Sequence, residues 1–224
     1  MKLIEYPDRD MMMIDLANIL AEALFDELCL SDWVTFAVPG GTTPGPIFDY
    51  LSATDLKWPG VNILLSDERW LPESNPRSNT RLLRERLFTG NAAAASLIPL
   101  YTDTPEPEEK LDLLIANLKP YLPIDVLLLG MGDDMHTASL FPGADQLAAA
   151  LAPDAPPLMA MRAPGAPEPR VTLTAPVLAA AANKHIVIMG AEKRAAFETA
   201  KASTDPMLAP VTAIWANATI HWAP

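Results

Sequence analysis

The stretch Ile124-Asp-Val-Leu-Leu-Leu-Gly-Met-Gly-Asp-Asp-Met-His-Thr-Ala-Ser-Leu-Phe-Pro-Gly143 decides how the rest of this chain is read. Val126 to Leu129 is an unbroken apolar run, the pattern of a strand buried on both faces in a parallel sheet. It discharges into a Gly-rich turn carrying Asp133, Asp134 and His136, after which a short helix-like segment is predicted from Thr137. Ligands of parallel α/β sheets bind at the carboxyl ends of strands. Histidine titrates nearest neutral pH, and an acid two residues earlier on an extended backbone lies on the same side as the imidazole. Asp134 and His136 are thus a candidate base with its orienter; a solvated Asp-x-His turn is the competing reading.

The same residues argue against other chemistries. Gly130-x-Gly132-x-x-Met135 places Met where a dinucleotide fingerprint needs its third glycine. No Gly-x-Ser-x-Gly elbow surrounds Ser139, and the chain has no His-Glu-x-x-His.

Working outward, Trp33 to Val38 reads as a strand, followed by Pro39-Gly40-Gly41-Thr42-Thr43-Pro44-Gly45-Pro46 and a helix through Tyr50. Strand, Gly-rich turn and helix form the outline of an anion cradle, with N–H groups at Gly40 and Gly41, hydroxyls at Thr42 and Thr43, and a helix dipole behind them. It lacks the Gly-Lys-Ser/Thr ending of a nucleotide P-loop, which favours a sugar phosphate; a tight turn with a helix cap fits the same residues.

Val61 to Leu65 is a further buried strand, and Ser66-Asp67-Glu68-Arg69 follows at its carboxyl end. Asp67 and Arg69 are expected in the same crevice as His136, Asp67 able to act on a proton and Arg69 to hold negative charge. A surface Asp–Arg pair is the plainer alternative. The long loop that follows leads to a helix from about Thr80, and Arg69, Arg77, Arg81, Arg84 and Arg86 make a local basic cluster, Arg84 and Arg86 expected to face solvent.

An amphipathic helix is predicted over Asp10 to Leu28, with Ile14, Ala17, Leu20, Leu24 and Leu28 on its apolar face and Met11 to Met13 packing at its start. Short strands are expected at Ile98 to Leu100 and Arg170 to Thr174, and helices at Pro105 to Leu118 and Ala175 to Ala182. The Pro/Ala-dense segment from Ala152 to Pro169 reads as an irregular connection or flap. Lys184 to Gly190 is a strand opening into a helix whose first turn carries Lys193. A cation there opposes the helix dipole, which makes sense if it shares an anion with the helix end; an exposed lysine paired with an acid is the simpler reading. Ala218 to Trp222 is the closing strand, and His185 and His221 read as structural.

With 224 residues, half of them hydrophobic, one domain over 1–224 is the default. Strands alternating with helices point to an α/β fold with a doubly wound, mostly parallel sheet. A net charge of −12 argues against nucleic acid or an anionic membrane as partner. Single Cys29, expected buried and inert, suggests a reducing compartment; no bilayer-length apolar run and no signal-peptide pattern occur, so a cytoplasmic location is expected.

Several separated segments agree with one family. Gly40-Gly41-Thr42-Thr43-Pro44, Ser66-Asp67-Glu68-Arg69 with Ser78-Asn79, Gly130 through Gly143, and Arg170-Val171-Thr172 resemble the 6-phosphogluconolactonases, over essentially the whole chain. The resemblance implies a single Rossmann-like domain shared with glucosamine-6-phosphate deaminase, no cofactor or metal, and a small phosphorylated sugar lactone as substrate, in a monomer or small homo-oligomer. It implies His136 as general base with Asp134 as orienter. It places Gly41, Thr42, Arg170 and Lys193 around the phosphate, with Asp67 and Arg69 nearer the lactone. The family usually has Gly where this chain has Met135. If that glycine serves a positive φ, Met135 is strained by about 1 kcal/mol or more.

Two rivals remain at this stage. A deaminase on the same fold would use Asp67 for proton transfer, but the deaminase family follows its histidine loop with an Asn-Glu-Pro segment, and Leu140-Phe141-Pro142 has no carboxylate. A non-catalytic sugar-phosphate sensor would bind without turnover.

Overall fold

The computed structural model describes residues 1–224. In chain order the elements begin β1 (Lys2–Glu5), α1 (Arg9–Leu30), β2 (Val34–Val38), α2 (Gly45–Ala53), β3 (Val61–Leu65) and β4 (Asp67–Arg69). They continue with α3 (Asn79–Arg86), β5 (Ser96–Ile98), α4 (Leu111–Leu118), β6 (Val126–Gly130), α5 (Leu147–Leu151) and β7 (Leu158–Met161). The last are β8 (Arg170–Leu173), α6 (Ala175–Ala179), β9 (Asn183–Met189), α7 (Gly190–Ala202) and β10 (Thr219–Ala223).

Seven strands form one parallel sheet in the order β1-β10-β9-β6-β2-β3-β5. From β2 the chain winds one way through β3 to β5; from β6 it winds the other way through β9 to β10. Right-handed crossovers in opposite directions put helices on opposite faces, the doubly wound arrangement. The reversal falls between β2 and β6. There the two strands pair only at Phe36 with Val126 and Ala37 with Leu127, whereas β6 stays paired with β9 out to Gly130 and Val187. The sheet therefore parts at the carboxyl ends of β2 and β6, and their loops flank the gap.

Both strands beside that gap are apolar but for Thr35, and Phe36, Val38, Val126 and Leu128 are fully buried. α1 starts at Asp8, whose carboxylate accepts the Met11 N–H at 2.8 Å, and buries two rows of side chains, Met12, Leu16, Leu20, Leu24 and Met13, Ala17, Ala21. Ile14 lies off both rows and is 43% exposed, a correction to the apolar face read from sequence. Cys29 sits beyond Leu24, where the buried rows end, and is exposed rather than buried.

A smaller antiparallel sheet, β4-β8-β7, was not foreseen. Asp67 to Arg69, three polar residues with no strand pattern of their own, pair with Arg170 to Thr172. The Ala152 to Pro169 segment contains β7, which pairs along Leu158 to Met161 with β8. Nor does a helix begin at Thr137: Met135 (φ 65°) and Ala138 (φ 50°) are both left-handed, which breaks a right-handed helix. Of the stretch expected as one helix from Pro105, Pro107–Lys110 is a 3₁₀ turn ahead of α4.

Candidate active site

A cavity of about 290 Å³ occupies the gap between β2 and β6. Its lining includes Gly40, Gly41, Thr42 and Thr43 from the loop after β2, Asp67 and Arg69 of β4, His136, Arg170 of β8, and Lys193 of α7. Asp134 stands behind His136 and does not line the cavity.

His136 is held on three sides. Its Nδ1 lies 2.5 Å from Asp134 Oδ1, and the His136 N–H donates to the same oxygen at 3.2 Å. That hydrogen bond from the imidazole is the largest reason the Asp134 carboxyl sits below its ordinary range. Phe141 stacks on the ring, centroids 4.1 Å apart at 28°. The loop closes on itself where the Gly132 N–H donates to the His136 carbonyl at 2.9 Å and the Met135 N–H to the Gly132 carbonyl at 3.0 Å. With Nδ1 engaged by Asp134, Nε2 is the nitrogen left for chemistry.

Asp67 is 5% exposed, and its carboxylate is occupied. It accepts the Ser139 hydroxyl at 2.6 Å and the Ser66 hydroxyl at 3.1 Å, and lies 3.7 Å from Arg170 Nη1. A carboxylate so engaged anchors Arg170 better than it collects a proton. Burial works against the Arg170 charge, with Asp67 the largest favourable counter-charge.

The opposite wall supplies donors. The N–H groups of Gly41, Thr42 and Thr43 donate to no backbone or side-chain acceptor, and Gly41 holds φ at 84°. Gly40 has no room for a side chain: a Cβ would stand 2.0 Å from Asn79 Oδ1. Asn79 lines the cavity too, its amide donating to the Asp67 carbonyl at 2.9 Å. Lys193 has no acid within 4.0 Å, so the simple paired-lysine reading does not describe it.

Of the five clustered arginines only Arg69 lines the cavity. Arg84 and Arg86 face the surface acids Glu73 and Asp49 as expected, while Arg77 pairs with Glu168 and Arg81 with Glu85, so of the three arginines expected beside an anion one lines the cavity. Glu68 is fully buried and accepts N–H groups of Arg69, Asn79 and Thr80 and the Thr80 hydroxyl at 2.7–2.8 Å, which ties the start of α3 to β4. Burial nonetheless pushes its carboxyl up from the ordinary value. Asn79, Ser139 and Phe141 had no assigned role from sequence, although all three fall inside the quoted motifs; an amide, a hydroxyl and a ring become partners only when the loops meet.

Fold and cavity together define a Rossmann-like α/β protein with an imidazole–carboxylate couple facing cationic side chains and free N–H groups at the sheet's switch point. Residues 7–222 match the family described as Glucosamine-6-phosphate isomerases/6-phosphogluconolactonase, and the chain belongs to that family. A 6-phosphogluconolactonase of Pseudomonas aeruginosa is 41% identical over 212 residues, covering 93% of this chain and 89% of that protein. One of Mesorhizobium japonicum is 38% identical over 225 residues, covering 98% and 94%. The crystal structure of a 6-phosphogluconolactonase from Shewanella baltica superposes with a TM-score of 0.96 at 28% identity, covering 100% of this chain and 97% of that one.

Proposed function

We propose that this chain hydrolyses 6-phospho-D-glucono-1,5-lactone to 6-phosphogluconate, the lactone-opening step of the oxidative pentose phosphate pathway, in the cytoplasm. The observation that carries the reading is His136, oriented by Asp134, on one side of a cavity whose other walls present Arg170, Lys193 and the free N–H groups of Gly41 to Thr43. The similarity to 6-phosphogluconolactonases supports it.

In this mechanism His136 Nε2 takes a proton from water as its oxygen attacks the C1 carbonyl, and Asp134 holds the tautomer and stabilises the imidazolium. Arg69 meets the charge that develops on the carbonyl oxygen. The C1–O5 bond then breaks, the imidazolium returns its proton to O5, and the new carboxylic acid ionises. Arg170, Lys193 and the Gly41–Thr43 amides grip the distant phosphate, converting binding energy into orientation of the lactone. Asp67 fixes Arg170 rather than moving protons. No helix is long and apolar enough to cross a membrane.

The test is a coupled assay with freshly generated lactone, corrected for spontaneous opening, beside an assay for ammonia release from glucosamine 6-phosphate. Turnover of the first and none of the second supports the reading; the reverse replaces it with deamination, and sugar-phosphate binding without turnover of either replaces it with a sensor.

A further inference from the structure

Glu168 lies in the Pro/Ala-dense segment, does not line the cavity, and is 8% exposed. Arg77 grips it through two contacts of 2.9 Å, Nη2 to Oε1 and Nη1 to Oε2, the fork-on-carboxylate geometry that fixes both partners. Arg69 Nε is 3.7 Å and Arg170 Nη2 3.9 Å from the same carboxylate. Arg69 Nη1 in turn donates to the Arg77 carbonyl at 3.2 Å.

These contacts matter because of the register of the small sheet. Arg69 and Arg170 are directly opposite one another in the antiparallel β4–β8 pair, and both line the cavity. Like charges directly opposite on one face of an antiparallel pair repel. Asp67 offsets the repulsion on the Arg170 side alone. The carboxylate that faces both guanidiniums is Glu168, from behind.

Resting on the lactonase reading, we propose that Glu168 is a positioning residue: with Arg77 it holds Arg69 and Arg170 side by side as a fixed double fork for the anionic groups of the sugar phosphate. Loss of the charge frees the two arginines to move apart. The ligand then meets the same residues in the wrong geometry: binding suffers through Arg170, the charge on the carbonyl oxygen is met less well by Arg69, and proton transfer by His136 is left alone.

The experiment compares wild type, Glu168→Gln and Glu168→Asp by calorimetric titration with 6-phosphogluconate and by lactone kinetics. Glu168→Gln should bind 6-phosphogluconate roughly tenfold or more weakly, raise KM by a similar factor as Arg170 loses its aim, and lower kcat by roughly tenfold as Arg69 does, with the shape of the pH profile of kcat, which His136 sets, unchanged. Glu168→Asp, which restores the charge, should recover at least part of the affinity. A merely structural glutamate would lower the melting temperature without moving the 6-phosphogluconate affinity of the folded protein. A folded Glu168→Gln protein with unchanged or tighter 6-phosphogluconate binding overturns the inference while leaving the lactonase reading intact. If Glu168→Gln does not fold, the decision passes to Arg77→Ala, which removes the clamp at a half-exposed residue and should reproduce the weakened binding; unchanged affinity there overturns it. A wild-type protein that neither turns over lactone nor binds 6-phosphogluconate overturns both.

Discussion

Gly132 and His136 touch so closely that the glycine hydrogen is the only group that fits between them: a Cβ at position 132 would stand 2.2 Å from both Cε1 and Nδ1 of the imidazole, and 2.6 Å from Asp134 Oδ1. The backbone of Gly132 is thus one wall of the seat that fixes the base. Gly132→Ala should push the ring out of line with the cavity and break its bond to Asp134. Because a misplaced base forfeits orientation, kcat/KM should fall by roughly a hundredfold or more, with a modest loss of stability. Lactone kinetics beside a thermal melt measure both.

Met135 pays a local cost for the turn that presents His136. Its φ of 65° is left-handed, a conformation that disfavours any side chain by about 1–2 kcal/mol. Comparing Met135→Gly with Met135→Ala separates this strain from lost packing, since both remove the side chain beyond Cβ. The glycine variant should be the more stable by about 1 kcal/mol, reversing the usual order for the two residues. Urea denaturation of the pair checks the sign.

Lys193 should show opposite effects on stability and on binding. It sits in the first turn of α7, where its charge opposes the helix dipole, and no acid lies within reach. Lys193→Ala should stabilise the free protein by a few tenths to about 1 kcal/mol. It should also raise KM by roughly tenfold to a hundredfold, the loss of one charge-assisted contact to phosphate. A variant both less stable and unchanged in KM would remove Lys193 from the anion wall.

Acid should unfold the protein through two buried histidines away from the cavity. His185 Nδ1 lies 3.0 Å from His221 Nε2, and His221 Nδ1 lies 2.9 Å from the Tyr6 hydroxyl, which donates to Asp15 at 2.8 Å. Burial pushes His185 down to about 4 and, with help from the His185 charge, His221 down to about 3. An unfolded histidine binds a proton near pH 6.5, so the native state binds fewer protons below that value. The stability linked to this pair is present above about pH 6.5 and lost as pH falls from there toward 4 and then 3. Between roughly pH 6 and 4.5 the slope should approach 2.7 kcal/mol per pH unit for two protons. His185→Leu should about halve it in denaturant titrations across that range.

The parallel sheet was legible because β2, β3 and β6 are buried on both faces and are nearly unbroken apolar runs, and β9 ends in one, Ile186 to Met189. The loops after β2, β3 and β6 were legible for a related reason, since Gly40-Gly41, Asp67 and His136 follow such runs directly. What stayed hidden has no local signal. β4 is three polar residues whose partner, β8, lies a hundred residues away, and its pairing depends on tertiary contact. Glu168 looks like one acid in a Pro-rich connection until three arginines surround it. The arginine cluster was legible in part: Arg84 and Arg86 face surface acids as their spacing along α3 predicted, whereas Arg77 and Arg81, expected beside an anion, are turned onto Glu168 and Glu85.

The central claim is that His136 moves the proton in the chemical step while Arg170, Lys193 and the Gly41–Thr43 amides hold the phosphate. The direct measurement is kcat for His136→Gln on fresh lactone, corrected for spontaneous opening, with the 6-phosphogluconate dissociation constant of the same protein. The account predicts a fall in kcat of roughly a hundredfold to ten-thousandfold with the dissociation constant within about threefold of wild type. A folded His136→Gln protein that opens the lactone at the wild-type rate would contradict it.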